Sequence, residues 1–327
     1  MNRNYIIIIL TLLFNILGIS ISAQETLMDD DMAEKEMQIL RCLQRASVDY
    51  SAEFDAEQFG LPAPDTLHLK NEYRHEVLAL ELCPIMPIGV IICISGVDSP
   101  SATAYYGHAL EFYKLGYAVV MVDVGGHIKI NDKKYEEVSD VQAITDYIKS
   151  KLEYTNLPII AMGVAMGGTV AIRSMIASYD INAVISLSAF SSFEDYFAFN
   201  RTEAEPIYDL PNGGLDMIAD MSEADSITLS KLCHVSGIDH RPVLLMQSRG
   251  DKFVPYTYFN QLVKATKMNT NEFESYVAEG NEHYVCGDFL NPASDTRYFY
   301  VLQRFLKRLT MHIPTLASRK LEDASAI

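Results

Sequence analysis

The 327 residues are 49% hydrophobic and carry a formal charge of −17. A surface this acidic repels phosphate backbones, so the composition argues against nucleic acid and anionic membranes as partners. The apolar fraction supports a sizeable core, and the length suits one α/β domain carrying an insertion.

Arg3 precedes an apolar run from Ile6 to Leu17, and small residues follow up to Ser22-Ala23. A basic head, an apolar middle and a small-residue site are the pattern of a secretory signal peptide over 1–23, with Gln24 as the mature start. The run is shorter than the roughly 20 residues of a membrane span, so cleavage is expected rather than anchoring, with no stable membrane insertion afterwards. Position 24 is not cysteine, so no lipid attachment is indicated there. The expected location is secreted or periplasmic. Arg3 is the only charged side chain of 1–23, so the remainder is one unit more acidic than the whole.

Residues 24–64 read as an N-terminal helical extension. A helix is predicted over 29–50, where Asp29, Asp30 and Asp31 suit a positive helix start and Ile39, Leu40 and Leu43 give part of an apolar face. "GLPAPD" then breaks the pattern. Strands are predicted at 66–69 and 76–82, followed by a regular alternation: strand 89–95, helix 102–115, strand 117–124, helix 136–153, strand 157–163, helix 166–178, strand 182–188. After a gap come strand 242–248, helix 256–266, strand 273–280 and helix 296–309. Continuous apolar strands alternating with amphipathic helices predict a mostly parallel, doubly wound eight-stranded sheet.

The gap breaks the rhythm. More than 50 residues separate the strands at 182–188 and 242–248, far beyond the usual connection, so a cap insertion is expected at about 190–240. Phe190, Phe193, Tyr196 and Phe197 cluster in its first half; they either line an acyl or aryl pocket or pack the cap onto the sheet. Residues 311–327 are polar and read as a C-terminal tail.

Cysteine contributes little. Five are present, Cys42, Cys83, Cys93, Cys233 and Cys286, and an odd number leaves at least one thiol over. Cys83 and Cys93 lie on adjacent predicted strands and could face each other, though no bridge between them is expected. No CxxC occurs, and Cys233-His234 with His240 reads more simply as loop than as a metal site. Neither metal nor cofactor is expected.

The informative stretch is "IIAMGVAMGGTVAIRSM", residues 159–175. Gly163 and Gly167 lie two positions either side of Ala165, and Gly168 follows. Such a strand–turn–helix pushes the central side chain out at the carboxyl edge of the sheet and aims backbone N–H groups at one point. Asp251 then follows the strand at 242–248, and His283 follows the strand at 273–280. Open α/β sheets place their sites at those carboxyl ends.

In this order, and over residues 65–310, the chain resembles the α/β-hydrolase superfamily, in the style of its serine aminopeptidase, esterase and lipase-like members. "GVAMGG" resembles the nucleophile elbow, Asp251 the acid and His283 the base. Asp123, Gly126 and His127 resemble the loop after the fourth strand. "ISGV" at 94–97 resembles the loop that supplies an oxyanion amide, and the resemblance implies backbone donors at Val97 and Met166. Three residues depart from the pattern: Ala165 stands for the expected serine, Ser95 stands where many members carry histidine, and Asp98 puts an acid beside the oxyanion loop.

A methyl group attacks no carbonyl. The resemblance therefore implies a hydrolase-like protein that forms no acyl-enzyme and keeps a pocket for a small ester-like, acyl or peptide ligand, with a protein partner also open. The alternative is an active esterase or peptidase, either one whose serine form was inactivated or one in which His283 and Asp251 activate water. Thr169, Ser188, Ser191, Ser192 and Cys286 are the nearest candidates to replace the missing hydroxyl.

Overall fold

In the central strands, consecutive side chains point to opposite faces, and almost all of them are apolar. The computed structural model describes residues 49–50, 52–96, 100–124, 137–190 and 238–310. Eight strands form one sheet: β1 (Asp65–Lys70), β2 (Glu76–Leu82), β3 (Val90–Ser95), β4 (Ala118–Asp123), β5 (Ile159–Val164), β6 (Ala183–Leu187), β7 (Val243–Ser248) and β8 (Phe273–Ala278). Their order across the sheet is β1-β2-β4-β3-β5-β6-β7-β8. β2 pairs antiparallel with β1 and β4, and every pairing from β4 to β8 is parallel.

Among the described residues, five helices cover the sheet: α1 (Tyr106–Lys114), α2 (Val138–Ser150), α3 (Met166–Ala177), α4 (Tyr256–Lys267) and α5 (Thr296–Thr310). In one core, Ile92, Ile94, Val120, Val122 and Ala161 meet Val141 and Ile144 of α2, Val170 and Met175 of α3, and Phe259 and Leu262 of α4. In the other, Ile91, Cys93, Val119, Met121, Met162, Ile185 and Met246 meet Phe112 of α1 and the Tyr298, Val301, Leu302, Phe305 stripe of α5. That stripe has helical spacing, which is why α5 presents one apolar face.

The predicted alternation is recovered strand for strand, with ends moved by a residue or two. Helix 102–115 divides into a 3₁₀ turn, Ala102–Tyr105, and α1. The helix expected over 29–50 lies outside the described residues except at Asp49 and Tyr50, which are not helical. The residues expected to form the signal peptide, most of the cap and the C-terminal tail also lie outside them. β4 lies between β2 and β3, so Cys83 and Cys93 are not on neighbouring strands; both are free thiols. Among the described residues, no helix is long and apolar enough to cross a membrane.

The return from the long insertion is anchored by Arg241. Its guanidinium donates to the carbonyls of Met175 (2.6 Å), Ser178 (2.7 Å), Ile181 (2.8 Å) and Ile238 (2.8 Å). It thereby satisfies acceptors that the end of α3 leaves open and ties α3, the start of β6 and the approach to β7 together.

His108 is the unusual core group. It is fully buried between α1 and α5, with Nε2 2.8 Å from the Tyr298 hydroxyl and its ring 4.5 Å from that of Phe289. Nδ1 has no hydrogen-bond partner among the described residues. Burial pushes its pKa down to about 3, so the folded chain keeps the ring neutral while the unfolded chain protonates it near pH 6.5. Stability is therefore complete above about pH 6.5 and falls as the pH drops toward 3. His108→Gln keeps a hydrogen-bonding partner for Tyr298 without the titration. Urea unfolding at pH 7 and pH 5 is expected to show a stability loss about 2 kcal/mol smaller in this variant than in the parent.

Candidate active site

β5 ends in a bend that an ordinary residue does not adopt. Ala165 has φ 51° and ψ −118°, followed at once by the first turn of α3. A non-glycine residue held there costs on the order of 1–3 kcal/mol and persists only where its surroundings impose it. The surroundings are visible. Ala165 N–H donates to the Leu187 carbonyl at the end of β6 (2.9 Å), and the Ala165 carbonyl accepts from Thr169 N–H in α3 (3.1 Å). The Tyr105 hydroxyl accepts from Val164 N–H and donates to the Ile94 carbonyl, both at 3.1 Å, locking β5 to β3.

The glycines act through close approach. A Cβ on Gly163 would overlap the Gly167 backbone, and one on Gly167 would overlap the Ile94 carbonyl. Gly168 packs against Ser186, whose Oγ donates to its carbonyl at 3.0 Å. The first turn of α3 therefore lies directly on β3, β5 and β6. Met166 opens the helix and is nearly buried, and Gly96, at the end of β3, lies against Met166 and the Gly167 nitrogen. Val97, the other expected oxyanion donor, lies outside the described residues.

Asp251 and His283 come from the ends of β7 and β8. His283 Nδ1 is 2.9 Å from Asp251 Oδ2; the aspartate side chain is fully buried and that of the histidine is 9% exposed. Asp251 Oδ1 accepts from Phe253 N–H (2.8 Å) and Val254 N–H (3.1 Å). A fourth donor, Gln247 Nε2, reaches Oδ2 at 3.1 Å. An ionised carboxylate offers about four acceptor positions, and four donors fill them. With Nδ1 facing Asp251, Nε2 is directed away from it and has no protein partner among the described residues.

Two serines fix the loop that carries the histidine. Ser188 Oγ donates to the His283 carbonyl (2.5 Å), and Ser248 Oγ donates to the Glu282 carbonyl (2.6 Å). Ser188 follows Leu187, the acceptor for Ala165 N–H, so the bend and the imidazole are tied to adjacent residues at the end of β6. Ser188 itself has φ 46°.

These bonds bear on the replacement hydroxyls. Thr169 Oγ1 reaches the Phe190 carbonyl (3.3 Å) and the Ala165 carbonyl (3.4 Å), and Ser188 is committed to the histidine backbone. Cys286 is buried in the core layer that contains Ala165; Ser191 and Ser192 lie outside the described residues. Phe190 is buried 6.2 Å from Tyr258, whereas Phe193, Tyr196 and Phe197 lie outside. Ser95 Oγ donates to the Pro100 carbonyl, and Asp123 accepts from Ala102 N–H at 2.8 Å. Burial pushes the Asp123 carboxyl up, opposed by Ser95. Among the described residues, no group of three or more His, Cys, Asp or Glu side chains is arranged to hold a metal ion.

Three groups escaped the sequence reading: Gln247, Ser248 as a clamp, and Tyr105. Gln247 did leave a trace, as a polar residue that breaks the apolar run of "VLLMQS" before its last position.

The model of the prolyl oligopeptidase family matches residues 104–310. The chain belongs to the prolyl oligopeptidase family. Its matched region holds the bend at Ala165, Asp251 and His283. Among solved structures, an esterase from Pyrococcus furiosus superposes with a TM-score of 0.61 at 18% identity, covering 79% of this chain and 95% of the esterase. The esterase domain of a Rhodothermus marinus protein gives 0.51 at 15% identity, covering 73% and 97%. An acylaminoacyl peptidase from Pyrococcus horikoshii gives 0.54 at 18%, covering 82% of this chain and 46% of the peptidase. At these identities the likeness is one of fold. No curated protein sequence matches the chain. For this member of the prolyl oligopeptidase family, the tight helix–strand contact is directly testable. Gly163→Ala and Gly167→Ala each place a methyl group onto backbone atoms, and each is expected to lower the melting temperature by about 8 °C or more or to abolish soluble expression.

Proposed function

We propose that this prolyl oligopeptidase family member occupies the hydrolase site without the covalent step: Ala165 stands at the nucleophile position, Asp251 and His283 keep the acid and base positions, and the pocket binds a small ester-like, acyl or peptide ligand. One observation carries the reading. The backbone at Ala165 holds a strained elbow conformation, φ 51° and ψ −118°, beside a fully hydrogen-bonded Asp251 and its histidine partner. A methyl group has no use for that strain, and a serine hydroxyl would.

The energetics set the scale. Losing the nucleophile in a serine hydrolase removes roughly 10⁶-fold in kcat, near 8–9 kcal/mol. What remains is ligand binding, a helix-start N–H at Met166 that favours a carbonyl oxygen, and an imidazole whose Nε2 is uncommitted. That last feature favours a second, weaker reading, in which His283 deprotonates a bound water for direct attack on an ester or amide. Export belongs to the proposal as well, on the strength of residues 1–23, and N-terminal sequencing of protein recovered outside the cytoplasm is expected to begin at Gln24.

The deciding experiment is the hydrolysis of a short-chain aryl ester by the parent and by Ala165→Ser. The parent is expected to be inert and the serine variant to turn over with a pre-steady-state burst. Turnover by the parent that His283→Ala abolishes would install the water mechanism instead. If both parent and serine variant are inert, the site lacks hydrolase competence and the proposal fails.

A further inference from the structure

We propose that Gln247 is a positioning residue that sets the orientation of Asp251 and, through it, of the His283 ring. The inference rests on the reading of Asp251 and His283 given above, and it adds a residue that neither the sequence pattern nor the family match singles out.

β7 sends Val243 and Leu245 into one core and Leu244 and Met246 into the other. By the two-residue repeat of a strand, Gln247 follows Val243 and Leu245 on the first face. It is fully buried, beside Val254. For packing alone this is a place for leucine or methionine, since a buried amide must satisfy its polar atoms or leave them stranded. Gln247 does leave one stranded: Oε1 is buried and has no partner among the described residues.

Its other end explains the choice. Nε2 donates to Asp251 Oδ2 at 3.1 Å and to the Val254 carbonyl at 3.0 Å. Both partners are acceptors, so the amide cannot be turned over without setting oxygen against oxygen. Val254 N–H in turn donates to Asp251 Oδ1 at 3.1 Å. Gln247, Asp251 and Val254 therefore close a ring of hydrogen bonds about the carboxylate.

The two carboxylate oxygens are held differently. Backbone amides of Phe253 and Val254 secure Oδ1. The donors to Oδ2 are His283 and Gln247. If the carboxylate is to orient the imidazole, its Oδ2 must be fixed by something other than that imidazole. Gln247 is the donor that does so. Without it, the Asp251 χ2 torsion is restrained at one oxygen, and the ring and carboxylate can swing as a pair. A small loss of alignment at a proton-transferring group carries a large kinetic penalty.

The test has one arm that needs no activity. In the parent chain, with Ala165 in place and histidine labelled with nitrogen-15, the His283 Nδ1–H proton is expected to give a resolved, slowly exchanging signal. Gln247→Met, similar in length and without donors, is expected to speed its exchange about 10-fold or to broaden it away while the melting temperature stays within a few degrees. In the Ala165→Ser background, Gln247→Met is expected to lower kcat about 10-fold with KM within about twofold. If Gln247→Met does not fold, Gln247→Leu serves under the same criteria, because it is apolar and removes both donors.

An unmoved Nδ1–H signal overturns the inference, as does a kcat loss no larger than the fall in melting temperature explains. If Ala165→Ser is inert while Gln247→Met still releases the Nδ1–H proton, the positioning role stands and the hydrolase reading falls.

Discussion

The contact between the first turn of α3 and the sheet governs the rest of the site. Glycine at 163 and 167 allows the helix backbone to rest on β3 and β5 with no side chain between them. That proximity forces the chain to reverse within a single residue, which places Ala165 in its positive-φ conformation. It also sets the helix start, with its partial positive charge, against the carboxyl ends of the parallel strands. A larger residue at either glycine would push α3 outward and dissolve the bend and the local field together.

Around that bend the polar groups are arranged with more care than packing requires. A buried carboxylate with four donors, a glutamine set among aliphatic side chains and two serines gripping a loop backbone all incur desolvation costs. Such a network is expensive when partly satisfied, and here Asp251 is fully satisfied while Gln247 Oε1 is not. This order surrounds a bend whose own side chain is the methyl group of Ala165.

Much of this was legible in the sequence. The strands of the parallel sheet are runs such as "VIICIS" and "VLLMQS", buried on both faces, and their apolar continuity announces them. The bend was legible because glycines on either side of position 165 have a steric reason to be there. Asp251 and His283 were legible through chain order and strand ends. The antiparallel run of β2 against both of its neighbours was not, because short strands near the sheet edge such as "EVLALEL" carry no signal of direction. Nor did the interposition of β4 between β2 and β3 show, since strand order arises from crossovers rather than from local pattern. Tyr105, Ser188 and Ser248 act through one or two hydrogen bonds to distant backbone, which leave no periodic trace.

The serine clamps have a consequence for whatever enters the site. Loops usually surrender freedom when a guest arrives, and that ordering is deducted from affinity. Here the segment bearing His283 is already fastened at two successive carbonyls to the rims of β6 and β7, so its entropy was spent during folding. For the ligand proposed above, that loop is a preorganised wall, and affinity would turn on complementarity rather than on the work of taming it.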